Sequence, residues 1–340
     1  MTPARKNPGT DDERSLGHNP FDDPTPEEDP FLEALHRIAR PNPREEGGAD
    51  PVETLASISE ALASLGLRQW LDESSRGRVE AFRSEIGAHD RFGLVLDSVS
   101  DALPLLLALY RHYFRVESRG IENLPSAGPV VLAGNHAGLL PFDAAMVLTD
   151  CFLHTTPPRR PRGIVDRWVE SVPWVRDFFA EIGQVIGTRK NFRDLLSDGE
   201  CVLVFPEGIH GIRKPFRERY RLQAFHPGFV EEALRSGASI VPFAVIGSDD
   251  QAPLLYDVEP LARWLGIPVA PITPTFPWLG LLGLLPLPVR YRIVYASPLR
   301  VGDAYGPEAA RDPQIVAQLS ESVRERIQEL LDSRHDLPRS

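Results

Sequence analysis

Apolar residues follow two different rhythms along the 340-residue chain. Up to about residue 116 the spacing is helical; after Gly120 short apolar runs alternate with helical stretches. Val52, Leu55, Ile58, Leu62, Leu65 and Leu67 fall close to one face of a helix over residues 52–71. A second helical segment spans residues 78–116 and ends in DALPLLLALYRHYFRV, apolar and aromatic, then basic. Such a segment either packs on the main domain or lies in a bilayer interface with Arg111 and Arg115 at the headgroups. Beyond it, buried strands are expected at 130–133, 163–165, 184–186, 202–205, 240–246 and 291–295. Helices are expected at 144–152, 169–182, 192–196 and 229–235, the last stopped by Gly237, and an amphipathic helix at 316–331 closes the chain. Strand and helix in alternation argue an α/β fold built on a mostly parallel sheet.

One stretch fits neither rhythm. FPWLGLLGLLPLP, residues 276–288, is almost wholly apolar and carries three prolines. It is too short to span a bilayer and too proline-broken for a long helix. It must be covered by protein or by lipid, and contact with a membrane surface is the expectation.

Composition sets the boundaries. Hydrophobic residues make up 42% and charged residues 25%, which fits a globular domain with appendages. Residues 1–50 are rich in Pro, Asp, Glu, Asn and Gly and read as a disordered acidic tail. The organisation expected is this tail, helices over 51–115, one domain over 116–300, and a C-terminal helix and tail over 301–340. A net charge of −11 argues against nucleic acid as a partner by bulk electrostatics. The charge is uneven: residues 1–60 hold 14 acidic and 6 basic side chains, residues 151–230 hold 13 basic and 9 acidic. Cys151 and Cys201 sit among apolar neighbours and read as packing residues, so a reducing cytoplasm is expected. The N-terminus has no apolar signal-peptide core, and no apolar run reaches about 18 residues.

Four strand exits carry polar residues, the place where open α/β sheets build sites. The first, VVLAGNHAGLLPFD, ends a buried strand at Gly134-Asn135-His136 and reaches Asp143 seven positions after the histidine. A His oriented by a carboxylate is the simplest general base near neutral pH. The second, GQVIGTRKN, turns at Gly187 and presents Arg189, whose guanidinium can fork onto a phosphate. The third, CVLVFPEGIH, places Glu207 between Pro206 and Gly208, where it could hydrogen-bond an acceptor hydroxyl. Arg213, Lys214, Arg217, Arg219 and Arg221 follow it, a cluster suited to anions. The fourth, SIVPFAVIG, breaks a buried strand with Pro242, which should mark an edge, a bulge or a bend.

In this order the four stretches resemble the lysophospholipid and glycerol-phosphate acyltransferase superfamily of PlsC type. NHAGLLPFD is similar to its His–Asp block, GQVIGTRKN to its Arg block, VFPEG to its Phe-Pro-Glu-Gly block and IVPF to its Pro block. GFVEEALRSGASIVPFAVIG also resembles the link between its last two blocks. The resemblance covers residues 116–300. It implies that His136 deprotonates a hydroxyl while Asp143 orients the imidazole, and that the alkoxide attacks the thioester of a fatty acyl-CoA or acyl carrier protein. It implies further that Arg189 holds a phosphate of acceptor or donor, that Glu207 and Gly208 position the acceptor, and that Pro242 shapes the acyl or donor side. Neither a metal nor another cofactor is implied, and no G-x-S-x-G nucleophile elbow occurs. The usual block separates His and Asp by four residues. Here six intervene, Pro141 among them, and Ile209 replaces the common Thr or Ser after FPEG. The longer Leu-Pro-containing form resembles that of a branch of mono- and diacylglycerol acyltransferases.

The expected function is therefore acyl transfer to a glycerolipid hydroxyl by a protein bound peripherally to the inner face of the cytoplasmic membrane. A non-catalytic lipid-binding protein and an acyl-thioester hydrolase are the alternatives on the same fold.

Overall fold

A computed structural model describes residues 71–86, 90–138, 140–167, 169, 173–265 and 269–335. The acidic tail and all but the last residue of the helix expected at 52–71 lie outside the described residues.

Seven strands form one sheet: β1 (Glu117–Arg119), β2 (Val130–Gly134), β3 (Arg162–Val165), β4 (Val185–Ile186), β5 (Cys201–Val204), β6 (Ser239–Ile246) and, after a two-stranded excursion, β9 (Arg292–Tyr295). Their order is β1-β9-β6-β2-β5-β3-β4. The β6-β2-β5-β3-β4 pairings are parallel, whereas β9 runs antiparallel to β6 and carries β1 parallel to itself. All six strands expected from the apolar runs are present within a residue or so. The additional edge strand β1, Glu-Ser-Arg, has no apolar residue, so only its ladder with β9 identifies it.

The uninterrupted apolar runs are explained by burial on both faces. Val131 and Ala133 of β2, Val202 and Val204 of β5, and Ile240 and Ala244 of β6 enter one core layer. Their alternates Val130, Leu132, Leu203, Val241, Phe243 and Val245 enter the other. The first layer is closed by α5 (Arg189–Ser197), α7 (Gly228–Ser236) and α10 (Pro313–Asp332), the second by α3 (Phe142–His154).

The helical segment expected at 78–116 is broken. It forms α1 (Glu73–Ile86) and α2 (Leu96–Ala108), and α2 runs into a π turn, Leu109–Tyr113. The break has a local cause: the Asp90 carboxylate accepts the Phe92 and Leu94 amides, and Gly93 turns at φ +96°. The segment's aromatic end is packed in protein, with Tyr110 and Phe114 buried in the second core layer. α4 (Pro173–Glu181) begins at a proline. α5 begins at Arg189, three residues earlier than the apolar pattern suggests, because Thr188 caps it by accepting the Asn191 amide at 3.1 Å. Both cysteines are buried and free.

Candidate active site

His136 leaves the C-terminal end of β2 two residues past Gly134, on the edge where β5 and β6 also end. Its position is set by the residue before it. Asn135 is fully buried and pairs with the Val245 main chain. Its Oδ1 accepts the Val245 amide at 2.8 Å and its Nδ2 donates to the Val245 carbonyl at 3.2 Å. The side chain thereby extends the β2–β6 ladder by one rung. Gly134 is required beneath it, since a Cβ there would lie 2.3 Å from the Phe243 ring.

The six intervening residues do not separate His136 from Asp143. Pro141 immediately precedes α3, and Asp143 falls in the first turn of that helix, fully buried. His136 Nδ1 lies 2.7 Å from Asp143 Oδ2, which also accepts the Ala137 amide at 3.0 Å. The other carboxylate oxygen accepts the Ala144 amide at 2.8 Å. A carboxylate held by two amides at a helix N-terminus is fixed in place. It sets Nδ1 as the protonated nitrogen and leaves Nε2 as the base. The imidazole stacks on Phe205 at the exit of β5, ring centroids 4.3 Å apart and planes 12° apart. Burial works against a charged imidazole, yet the Asp143 carboxylate, with help from Glu207, holds His136 above its ordinary value.

Glu207 is placed differently from the expected acceptor-binding carboxylate. It is fully buried, and both oxygens receive main-chain amides: His136 N at 3.1 Å and Gln223 N at 2.8 Å. One oxygen braces the His136 backbone and the other the Gln223 backbone. Lys214 lies behind it, also buried, 3.9 Å from Glu207 Oε2 and 3.1 Å from Asp249 Oδ1. Burial pushes both carboxyls up and the ammonium opposes that shift. Gly208 adopts φ +54° and ψ −140°, a conformation that favours glycine, and opens the short helix α6 (Ile209–Ile212). Within α6, a Cβ on Gly211 would lie 2.8 Å from the His136 carbonyl.

Arg189 is not brought into the His136 group. It sits at the same sheet edge beyond β4, three strands from β2, or about 14 Å across the sheet. Its Nη1 lies 2.6 Å from Glu231 on α7. Pro242 lies in a central strand, opposite Ala133 of β2. Its nitrogen faces the β9 side, where pairing passes from Ile240–Leu299 to Phe243–Tyr295. Three steps on β6 oppose four on the partner, a bulge at which the proline's missing N–H leaves no gap, and its carbonyl accepts the Ala296 amide at 2.8 Å.

The basic stretch after Glu207 is a clasp. Arg213 pairs with Asp257 and Glu259, both at 2.7 Å; Lys214 pairs with Asp249; Arg219 lies 3.8 Å from Asp250. Tyr220 donates to Asp250 at 2.5 Å. These acids all lie in the segment after β6. That segment also reaches the histidine loop, where Gln251 Nε2 donates to the Ala137 carbonyl at 3.0 Å. Sequence reasoning missed the parts played by Asn135, Phe205, Gly211 and Gln251, and it placed Lys214 in an anion-binding cluster where the fold makes it a buried counter-ion. Among these only Asn135 and Phe205 carried a local signal, as the residues flanking His136 and Pro206. No group of three or more His, Cys, Asp or Glu side chains among the described residues is arranged to hold a metal ion.

Comparison with known proteins finds a family match and several relatives. Residues 115–246, which contain all four strand exits, match the family model described as Acyltransferase. An uncharacterized protein of Mycobacterium leprae is 41% identical over 229 residues, 67% of this chain and 62% of that protein. An uncharacterized protein of Mycobacterium tuberculosis is 41% identical over the same length, 64% of its own chain. The chain thus matches less than two thirds of the length of these relatives. Phytyl ester synthase 2 of Arabidopsis thaliana is 32% identical over 149 residues, 41% of this chain and 20% of that enzyme. Among solved structures, the 1-acyl-sn-glycerophosphate acyltransferase PlsC of Thermotoga maritima superposes with a TM-score of 0.46 at 17% identity, covering 83% of this chain and 96% of that one. The segment of the chain from residue 115 to residue 246 belongs to the acyltransferase family.

Proposed function

We propose that the protein is an O-acyltransferase that moves a fatty acyl group from a thioester, acyl-CoA or acyl carrier protein, to a hydroxyl of a glycerolipid. The observation that carries this reading is the His136 Nδ1–Asp143 Oδ2 hydrogen bond of 2.7 Å at a strand exit of an acyltransferase-family segment. Nε2 takes the acceptor proton, the oxygen attacks the thioester carbon, the carbon–sulfur bond breaks, and the thiol leaves with a proton. Asp143 holds the imidazole and balances its transient charge. Glu207, through the His136 amide, and Gly208, through its turn, keep the base in place. Pro242 shapes the β6–β9 side of the edge. Arg189 binds a phosphate of donor or acceptor by exchanging Glu231 for it.

Among the described residues no helix is long and apolar enough to cross a membrane. The acceptor is taken from the membrane surface, at its cytoplasmic face. The names of the Arabidopsis relatives add a long-chain alcohol to the acceptors worth testing.

The test uses purified full-length protein with labelled palmitoyl-CoA or palmitoyl carrier protein. Acceptors are lysophosphatidate, lysophospholipids, mono- and diacylglycerol and phytol, with products read by mass spectrometry. Ester formation on at least one acceptor is expected, and His136→Ala should lower its rate by about 10²–10⁴-fold. Free fatty acid as the sole product with every acceptor would establish a hydrolase instead. Undiminished ester formation by His136→Ala would remove the general-base assignment.

A further inference from the structure

Between β6 and β9 the chain makes an excursion over residues 251–290. It contains β7 (Tyr256–Asp257), α8 (Glu259–Leu265), β8 (Pro271–Ile272) and the turn Gly280–Leu284. Hydrogen bonds join these pieces. Leu255 N donates to the Ile272 carbonyl at 2.9 Å, and Thr275 Oγ1 donates to the Gly283 carbonyl at 2.8 Å. Gly283 has no room for a side chain, since a Cβ would lie 2.4 Å from the Thr275 carbonyl. The loop is thus a built structure, yet it turns its large apolar side chains outward. Trp264 and Trp278 are each 76% exposed, Leu282 is 71% exposed, and Leu255, Tyr256 and Leu285 are exposed as well. Apolar surface concentrated in this way marks a partner or a membrane.

Charge selects between them. From residue 260 to residue 290 the sequence contains two arginines and no Asp, Glu or Lys, in a chain whose net charge is −11. The excursion's acids precede this stretch, and Asp257 and Glu259 are engaged by Arg213. Arg263 and Arg290 are exposed. Arg115, also exposed, reaches the Pro288 carbonyl at 3.4 Å, and neighbouring Tyr113 donates to the Pro286 carbonyl at 2.6 Å. Two exposed tryptophans, exposed aliphatic side chains and arginines in one acid-free stretch are the chemistry of an interfacial membrane surface facing anionic headgroups. The root of the excursion lies at the site: Gln251 accepts the Leu287 amide at 2.7 Å through its carbonyl while its side chain donates to Ala137, next to His136.

We infer that the 251–290 excursion is the surface by which this protein docks on an anionic phospholipid bilayer, holding the His136 edge near the lipid. The surface stands independently of the acyl-transfer reading, because its test measures binding alone. The full-length protein is sedimented with phosphatidylcholine vesicles with and without phosphatidylglycerol. Binding should require or strongly favour the anionic lipid and weaken in high salt. Trp264→Ser combined with Trp278→Ser should lower partitioning by roughly ten-fold or more, since affinity scales with the apolar area inserted. Arg263→Glu should lower it on anionic vesicles. Thermal melting of each variant checks that the fold is kept. Unchanged partitioning of the folded tryptophan variant would overturn the inference, as would an absence of vesicle binding by the native protein. So would a concentration-dependent dimer that the same substitutions dissociate, which would assign the surface to a second copy of the chain.

Discussion

His136 shows how little of a catalytic residue's behaviour belongs to its own side chain. Its ring is held by Asp143, faced by Phe205, and hung from a backbone amide bound by Glu207. The net effect of burial and these carboxylates is a pKa above the ordinary histidine value. A general base must be neutral to act, so turnover should fall as pH drops through a midpoint above about 6.5. Asp143→Asn removes the charge that raises the midpoint, so the acid limb should move to lower pH while the plateau rate falls. A pH–rate profile of both proteins measures this; an unmoved midpoint would mean that another group limits the acid side. Lys214 illustrates the opposite case. It resembles its solvent-facing neighbours in sequence, but in the fold it is the buried counter-ion of Glu207 and Asp249.

At the scale of elements, the site depends on close approach. The helix α6 presses against the His136 carbonyl at Gly211, where a Cβ would come within 2.8 Å. Gly211→Ala should therefore displace the loop that carries the base, at a cost of about 1–3 kcal/mol in stability. Activity should fall by more than the loss of folded protein accounts for, because a small displacement of a catalytic group is itself expensive. Activity per folded molecule, with folding followed by circular dichroism, separates the two effects. A normal specific activity would show that α6 yields without moving His136. Arg189, in contrast, belongs to a helix start three strands away and is tied to α7 by Glu231.

At the scale of the whole molecule, the excursion after β6 is fastened to the basic stretch by ion pairs. Arg213 contacts both Asp257 and Glu259, one on each of its first two elements. Arg213→Ala should raise the rate of limited proteolysis within residues 251–290 while shifting the global melting temperature little, since local opening is governed by local contacts. Cleavage confined to other segments would show that the clasp is not what holds the excursion. The same placement sets Arg213, Lys214 and Arg219 of the basic run against acids of the same chain, which takes up much of the anion-binding potential read from residues 213–221.

The sequence alone determined six of the seven strands of the main sheet, because a short apolar run fits a strand buried on both faces and little else of that length. It also located His136, Asp143, Arg189 and Glu207 near strand exits, since the change from apolar to polar residues is itself the end of a strand, and it marked Pro242 as a break within one. The tertiary structure decided what those positions do. That Asp143 reaches His136 across six residues depends on where α3 begins, and that Glu207 serves the His136 backbone depends on β2 and β5 being neighbours. That Arg189 stands apart from His136 follows from strand order, which periodicity does not encode. β1, the buried Lys214 and the close packing at Gly211 had no signal in the chain, because each is defined by a partner more than 70 residues away in sequence or by burial that only the assembled fold creates.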